Sequence, residues 1–124
     1  MQARTYRVTR ADLLAYAAAS GDHNPIHSDE QVALSVGLPG VIAHGMYTLA
    51  LAARYVDESV GASGQIAELT GKFTRPVVVP AGDEGAEVQV EGELTEVDGR
   101  RVVALTVTCN GEKVLGNPRA VLRA

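Results

Sequence analysis

Two hydrophobic periods divide the chain. From Ala86 to Val97 apolar and polar positions alternate, with Val88, Val90, Gly92, Leu94 and Val97 set against Glu87, Gln89, Glu91, Glu93 and Glu96. That alternation predicts an antiparallel strand with one face in the core. Asp98-Gly99 follows, and both residues tolerate the positive φ that a two-residue hairpin turn needs. Val102 to Cys109 then reads as the partner strand, Asn110-Gly111 as a second hairpin turn, and Glu112 to Leu122 as a closing strand. Asn117-Pro118 predicts a bulge in it, because proline cannot donate to a ladder. Ile66 to Phe73 is an earlier strand, and Val77 to Val79, between Pro76 and Pro80, suits an edge or a bend.

The first half follows a helical period. After a short strand over Thr5 to Val8, Thr9 caps a helix from about Arg10 to Ala19, with Asp12 completing a capping box. Leu13, Leu14, Ala17 and Ala18 form its apolar stripe, and Gly21 suits the left-handed position that ends it. Pro25 prevents regular helix across Asp22 to His27. Ser28 caps a second short helix, Asp29 to Val36, ended by Gly37, and Leu38 to Ala43 is a loop. Gly45 to about Val60 is the most apolar helix, with Met46, Leu49, Ala50, Ala53 and Val56 at helical spacing and Leu51 and Ala52 widening the face. A helix apolar nearly all round is expected to be buried. One long antiparallel sheet and one apolar helix predict an α+β fold in which the sheet curls around the helix. The leftover sheet edges favour pairing with a second copy.

Composition narrows this picture. The 124 residues fit a single domain, 1–124, and with no Trp and one Phe the core is built from Val, Leu, Ile and Ala. A net charge of −4 without a Lys/Arg run argues against nucleic acid. The single Cys109 has no disulfide partner and lies in an apolar alternating stretch, which predicts a buried, inert thiol and a cytoplasmic setting. Met46 to Ala53, the longest apolar stretch, is too short to cross a bilayer, and residues 1–10 show no signal-peptide core.

Candidate chemistry sits in two segments. In Ser20-Gly21-Asp22-His23-Asn24-Pro25-Ile26-His27, a carboxylate and an imidazole lie five residues apart in a loop stiffened by Pro25. An Asp can orient a His, and together they can grip one water and move its protons. The alternative is a turn-and-capping network with no chemistry. A metal site from Asp22, His23, His27 and His44 is disfavoured, because Pro25 removes helical i, i+4 presentation from the two nearer histidines. The second segment, Ala43-His44-Gly45-Met46, opens the apolar helix. The first N–H groups of a helix lack internal partners, and glycine lets a carbonyl approach them, which is the layout of an oxyanion hole. Otherwise Gly45 merely eases the turn. The two segments complement each other for a 3-hydroxyacyl thioester. Removing its α-proton needs a base near Cα, an acid near the 3-hydroxyl and donors at the carbonyl.

These motifs resemble the MaoC-like (R)-hydratase/dehydratase family. Gly21, Asp22, Asn24, Pro25, Ile26 and His27 match its catalytic loop, His44-Gly45-Met46 the start of its central helix, and Phe73-Thr74-Arg75-Pro76-Val77 with Pro80 and Gly82-Asp83 its strand and turn. Within the family the chain is most similar to the catalytic subunits of actinobacterial 3-hydroxyacyl-carrier-protein dehydratases. The resemblance implies a hot-dog fold and a hydro-lyase working on trans-2-enoyl and (3R)-hydroxyacyl thioesters, in fatty-acid or related acyl metabolism. It implies Asp22 and His27 as catalytic residues, the Gly45 amide as oxyanion donor, and Asn24, His44 and Met46 in substrate contact, with no metal or other cofactor. The implied partners are an acyl-CoA or acyl-carrier-protein thioester and a second hot-dog subunit, identical or related, with neither nucleic acid nor membrane. Two departures stand out. Many members carry a longer segment before Tyr6, so the first strand is expected to be short or completed by a partner. A helix serine found in some hydratases is replaced here by Ala53. His23, at the variable loop position, is expected to be exposed, and Arg54, Lys72 and Arg75 to be solvated charges. A non-catalytic subunit shaping an acyl tunnel and a hot-dog thioesterase are the competing readings.

Overall fold

The computed structural model describes residues 1–124. Strand β1 (Arg4–Val8) leads into α1 (Arg10–Ser20), a 3-10 turn (Pro25–His27), α2 (Glu30–Ser35) and α3 (Gly45–Val60). Then come β2 (Ile66–Phe73), β3 (Ala86–Val97), β4 (Arg100–Cys109), β5 (Glu112–Lys113) and β6 (Leu115–Leu122). The strands form one antiparallel sheet in the order β1-β3-β4-β6-β2, with β5 paired to β4. Helix α3 lies across this sheet, and the α+β hot-dog architecture is the one expected.

Local chemistry explains the ladder. Asp98 and Gly99 take φ of 52° and 77°, and Asn110 and Gly111 take 53° and 77°, so both turns twist as their strands do. In β2–β6 the register slips twice: Ala67 is an extra residue on β2, and Asn117-Pro118 oppose the single Gly71. The second slip is the bulge expected at Asn117-Pro118, with Asn117 at φ 48°. β1 and β2 are the sheet edges.

The core joins Leu51, Ala52, Tyr55 and Val56 of α3 to the inward positions Val88, Val90, Val103, Val107, Ala120 and Leu122. Fully burying each of these valines and leucines contributes about 1.5–3 kcal/mol. Three expectations of burial are corrected. Leu94 and Val97 continue the alternation but are 47% and 49% exposed, because the hairpin beyond Gly92 runs past the apolar face that α3 offers. A Cβ on Gly92 would meet the Tyr55 ring at 3.1 Å, so this glycine marks where helix and sheet touch. Helix α3 is not buried all round: Met46, Ala50, Arg54 and Glu58 form an exposed i, i+4 stripe, since the sheet covers one side only. In α1 only Leu13 and Ala17 are buried, and Leu14 and Ala18 face outward.

Caps follow the sequence closely. Thr9 and Asp12 form the capping box, and Gly21 closes α1 at φ 80°. For α2 the cap is Asp29, not Ser28, and the helix is correspondingly shorter. The segment from Leu38 to Ala43 is more than a loop. Ala43 N–H donates to Val77 C=O at 2.9 Å and Val79 N–H to Val41 C=O at 2.8 Å, so it runs as a ribbon against the Pro-flanked valines.

A tie between β1 and the far end of α3 closes the fold. Tyr6 is buried, and its hydroxyl donates to Glu58 Oε1 at 2.6 Å. Burial, and then the Glu58 carboxylate, push the Tyr6 hydroxyl up from 10.0 to about 12. Accepting that bond holds Glu58 below its usual range, helped by Arg54 and Arg4. The raised tyrosine value means stability that is full below pH 10 and lost as pH rises through about 12. The lowered glutamate means stability lost as pH falls through its folded-state titration. Tyr6→Phe is expected to destabilise the chain by about 1 kcal/mol. In denaturant titrations across pH it is also expected to flatten the alkaline limb.

Candidate active site

A chain of short polar turns builds the loop between α1 and α2. Asp22 Oδ1 accepts from Asn24 N–H at 3.2 Å, and Asn24 Oδ1 accepts from Ile26 N–H at 3.2 Å. Each side chain folds back on the backbone two residues on, and Pro25 then starts the 3-10 turn that ends on His27. The turn-network reading of this loop is therefore realised, and it aims the two chemical groups as well.

His27 is 8% exposed. Its Nδ1 lies 2.7 Å from the Ile42 carbonyl, which can only accept, so Nδ1 carries the proton. In the neutral ring Nε2 is left with a free lone pair. Ile42 N–H in turn donates to Ile26 C=O at 3.2 Å, strapping the two segments together. His44, 2% exposed, lies against His27 with ring centroids 3.8 Å apart and planes 22° apart. Its Nε2 donates to the Asp22 carbonyl at 3.1 Å, and Tyr16 packs on its ring at 4.8 Å. His44 Nδ1 is sealed from solvent with no partner. A carboxylate oxygen of Asp22 and one ring nitrogen each of His27 and His44 all lie within 4.8 Å of one another. Two hydrogen bonds of about 2.8 Å through one water span that separation. The expectation that Pro25 denies the two nearer histidines helical i, i+4 presentation holds for His23, which stays apart and exposed, while His27 meets Asp22 and the distant His44 without it. Stacked rings 22° apart do not aim two in-plane lone pairs at one tetrahedral ion, and with His44 Nδ1 sealed a shared water falls to Asp22 and His27.

Beside His27 a cleft of about 290 Å³ opens, lined by Ala43, Gly45, Thr48, Phe73, Arg75 and Val77 among others. A larger, more polar recess of about 590 Å³ adjoins it beyond Thr74 and Arg75 and holds none of the acid/base groups. Unlike α1 and α2, helix α3 has no side-chain cap. Its first partnered amide is Tyr47 N–H, on His44 C=O at 3.0 Å, so the Gly45 N–H is open at the cleft. Phe73 crowds Gly45: a Cβ there would lie 3.0 Å from three carbons of that ring, which would have to shift to admit it.

Of the residues assigned from sequence, His27 and Gly45 line the cleft, whereas Asp22 is exposed and outside the lining, with a carboxylate oxygen within 4.8 Å of a His27 ring nitrogen. Asn24 is exposed and spends its side-chain oxygen on the turn. His44 is enclosed behind His27, and Met46, 57% exposed, is on the outer stripe of α3, so neither lines the cleft. Arg75 borders the cleft, whereas Arg54 pairs with Glu58 at 3.6 Å. Cys109 is buried as expected, and burial pushes its thiol up. Sequence reasoning missed Thr48, which stands three residues after Gly45 and so on the same helix face. It also missed the Ile42 carbonyl, for which no side-chain signal exists.

Known proteins share this fold. The family model described as MaoC like domain matches residues 1–113. The 3-hydroxyacyl-thioester dehydratase X of Mycobacterium tuberculosis is 39% identical over 84 residues, which are 64% of this chain and 27% of that protein. The chain thus spans about a quarter of the length of that relative. Among solved structures, a MaoC-like dehydratase superposes with a TM-score of 0.93 at 34% identity, over 99% of this chain and 38% of that one. An R-hydratase from Pseudomonas aeruginosa gives 0.83 at 30% identity, over 99% and 78%. With its loop, its central helix and nearly its whole length matched, the chain belongs to the MaoC-like domain family.

Proposed function

We propose that this chain is a hydro-lyase of acyl thioesters, adding water to trans-2-enoyl thioesters and removing it from (3R)-hydroxyacyl thioesters. The observation that carries the reading is the Asp22 carboxylate and a His27 ring nitrogen within 4.8 Å of each other, beside a cleft that ends on the free amide of Gly45. In the hydration direction the pair holds the water. One group takes its proton as oxygen bonds to C3, and the pair then delivers that same proton to Cα, so both groups end as they began. Negative charge gathers on the thioester oxygen between these events, and the Gly45 N–H faces it from a helix end whose dipole favours that charge. Dehydration runs the same groups in reverse. The names of the relatives, a 3-hydroxyacyl-thioester dehydratase and an R-hydratase, support this chemistry.

The working assembly is a pair of hot-dog units of about this chain's extent, identical or related, in a cytoplasmic setting. Two open sheet edges and the wet stripe on α3 support a partner. No helix is long and apolar enough to cross a membrane. The thioester is carried on coenzyme A or on a carrier protein, and Arg75, which borders the cleft and pairs with Glu112 at 3.4 Å, would exchange that partner for a phosphate of the pantetheine arm.

Mixing the purified chain with trans-2-butenoyl-CoA tests the reading. Loss of enoyl absorbance without release of free thiol is expected. Thiol release would mean a thioesterase instead, and activity only after adding a related subunit would mean a scaffold. Asp22→Asn and His27→Gln are each expected to lower kcat by about 10²–10⁴-fold, with melting temperatures near that of the parent; full activity in either would remove that residue from its role. Gly45→Ala keeps the amide N–H but crowds the Phe73 ring at the cleft and misplaces the bound carbonyl, and is expected to lower kcat by about 10²-fold.

A further inference from the structure

We infer that Thr48 is a second hydrogen-bond donor to the thioester carbonyl, acting beside the Gly45 amide. The inference rests on the hydro-lyase reading above. Thr48 is 3% exposed and lines the cleft that holds His27 and Gly45. A threonine inside a helix ordinarily returns its hydroxyl to the carbonyl four residues back. Here that acceptor is His44 C=O, which already takes Tyr47 N–H at 3.0 Å and Thr48 N–H at 3.2 Å. The hydroxyl bonds to neither it nor any other protein group. His44 Nδ1 is the one side-chain polar atom fully sealed without a partner, so the unpaired Thr48 hydroxyl opens onto the cleft.

Direction follows from helix geometry. Every Cα–Cβ bond in a helix leans toward the N-terminus, and a side chain covers the turn before its own Cα. Thr48 therefore leans toward Gly45, three residues earlier on the same face. Two donors, one fixed in the backbone and one able to rotate, converge where a carbonyl oxygen entering from the Phe73 side would lie. Because it opens onto the cleft, the hydroxyl is free to bond water until a substrate oxygen replaces that water, and the new bond strengthens as the oxygen gains negative charge.

Thr48→Val keeps the branched shape and removes only the hydroxyl. If the hydroxyl serves substrate, the variant melts at or above the parent temperature, since no protein hydrogen bond is lost, while kcat falls about 10²-fold and KM changes less than about threefold. Thr48→Ser is expected to restore most of kcat. A lower melting temperature in Thr48→Val, or kcat within about twofold of the parent, would overturn the assignment. A direct reading uses trans-2-butenoyl-CoA labelled with ¹³C at the carbonyl, bound to the slow Asp22→Asn protein. The carbonyl stretch should move to lower frequency on binding and recover part of that shift when Thr48→Val is added. An unchanged stretch would sink the donor role, whatever the turnover measurements give. Absence of hydration by the parent chain would instead count against the hydro-lyase reading.

Discussion

A backbone carbonyl can only accept, and two such carbonyls organise this site. Ile42 C=O fixes which nitrogen of His27 is protonated, and Asp22 C=O does the same for His44. The rings then stack, so the loop carrying Asp22 is coupled to the mouth of α3 through side chains rather than through the sheet. Because Ile42 is itself tied to Ile26, and its neighbours Val41 and Ala43 to Val79 and Val77, the site hangs on a ribbon of main-chain bonds that reaches the core. Preorganised groups of this kind need no rearrangement at the moment of reaction.

The same arrangement contains an inconsistency. His44 donates from Nε2 and leaves Nδ1 enclosed and unpaired, a loss of about 1–3 kcal/mol. Sites of local conflict in an otherwise consistent fold are where function is usually found. The uncapped start of α3 is a second such conflict. Helices α1 and α2 receive oxygen caps from Thr9 and Asp29, whereas α3 begins with His44 and Gly45 and leaves its first amides open.

Features set by neighbours in sequence were legible before the structure. Hairpin turns at Asp98-Gly99 and Asn110-Gly111, the capping box at Thr9, the bulge at Asn117-Pro118 and the span of α3 all depend on local conformational preference. Pairing Asp22 with His27 was legible for the same reason, since one stiff turn joins them. What escaped depends on contacts distant along the chain. Leu94 and Val97 obey the strand period, yet no helix reaches them. The family resemblance implies His44 as a substrate contact, but it is enclosed and stacked on His27. Ile42 acts through its carbonyl, an atom every residue possesses, so its identity carries no trace of the role.

The outer edge of the sheet carries a further consequence. β2 offers unpaired backbone groups along one side, yet its register against β6 breaks near Ala67 and again near Gly71. A straight edge would template any extended peptide, and identical chains could then stack without limit into fibres. An edge bent in two places accepts only a strand bent to match, over a short length. The irregularities in β2 thus act as a safeguard against polymerisation while leaving the edge free for one well-fitted neighbour.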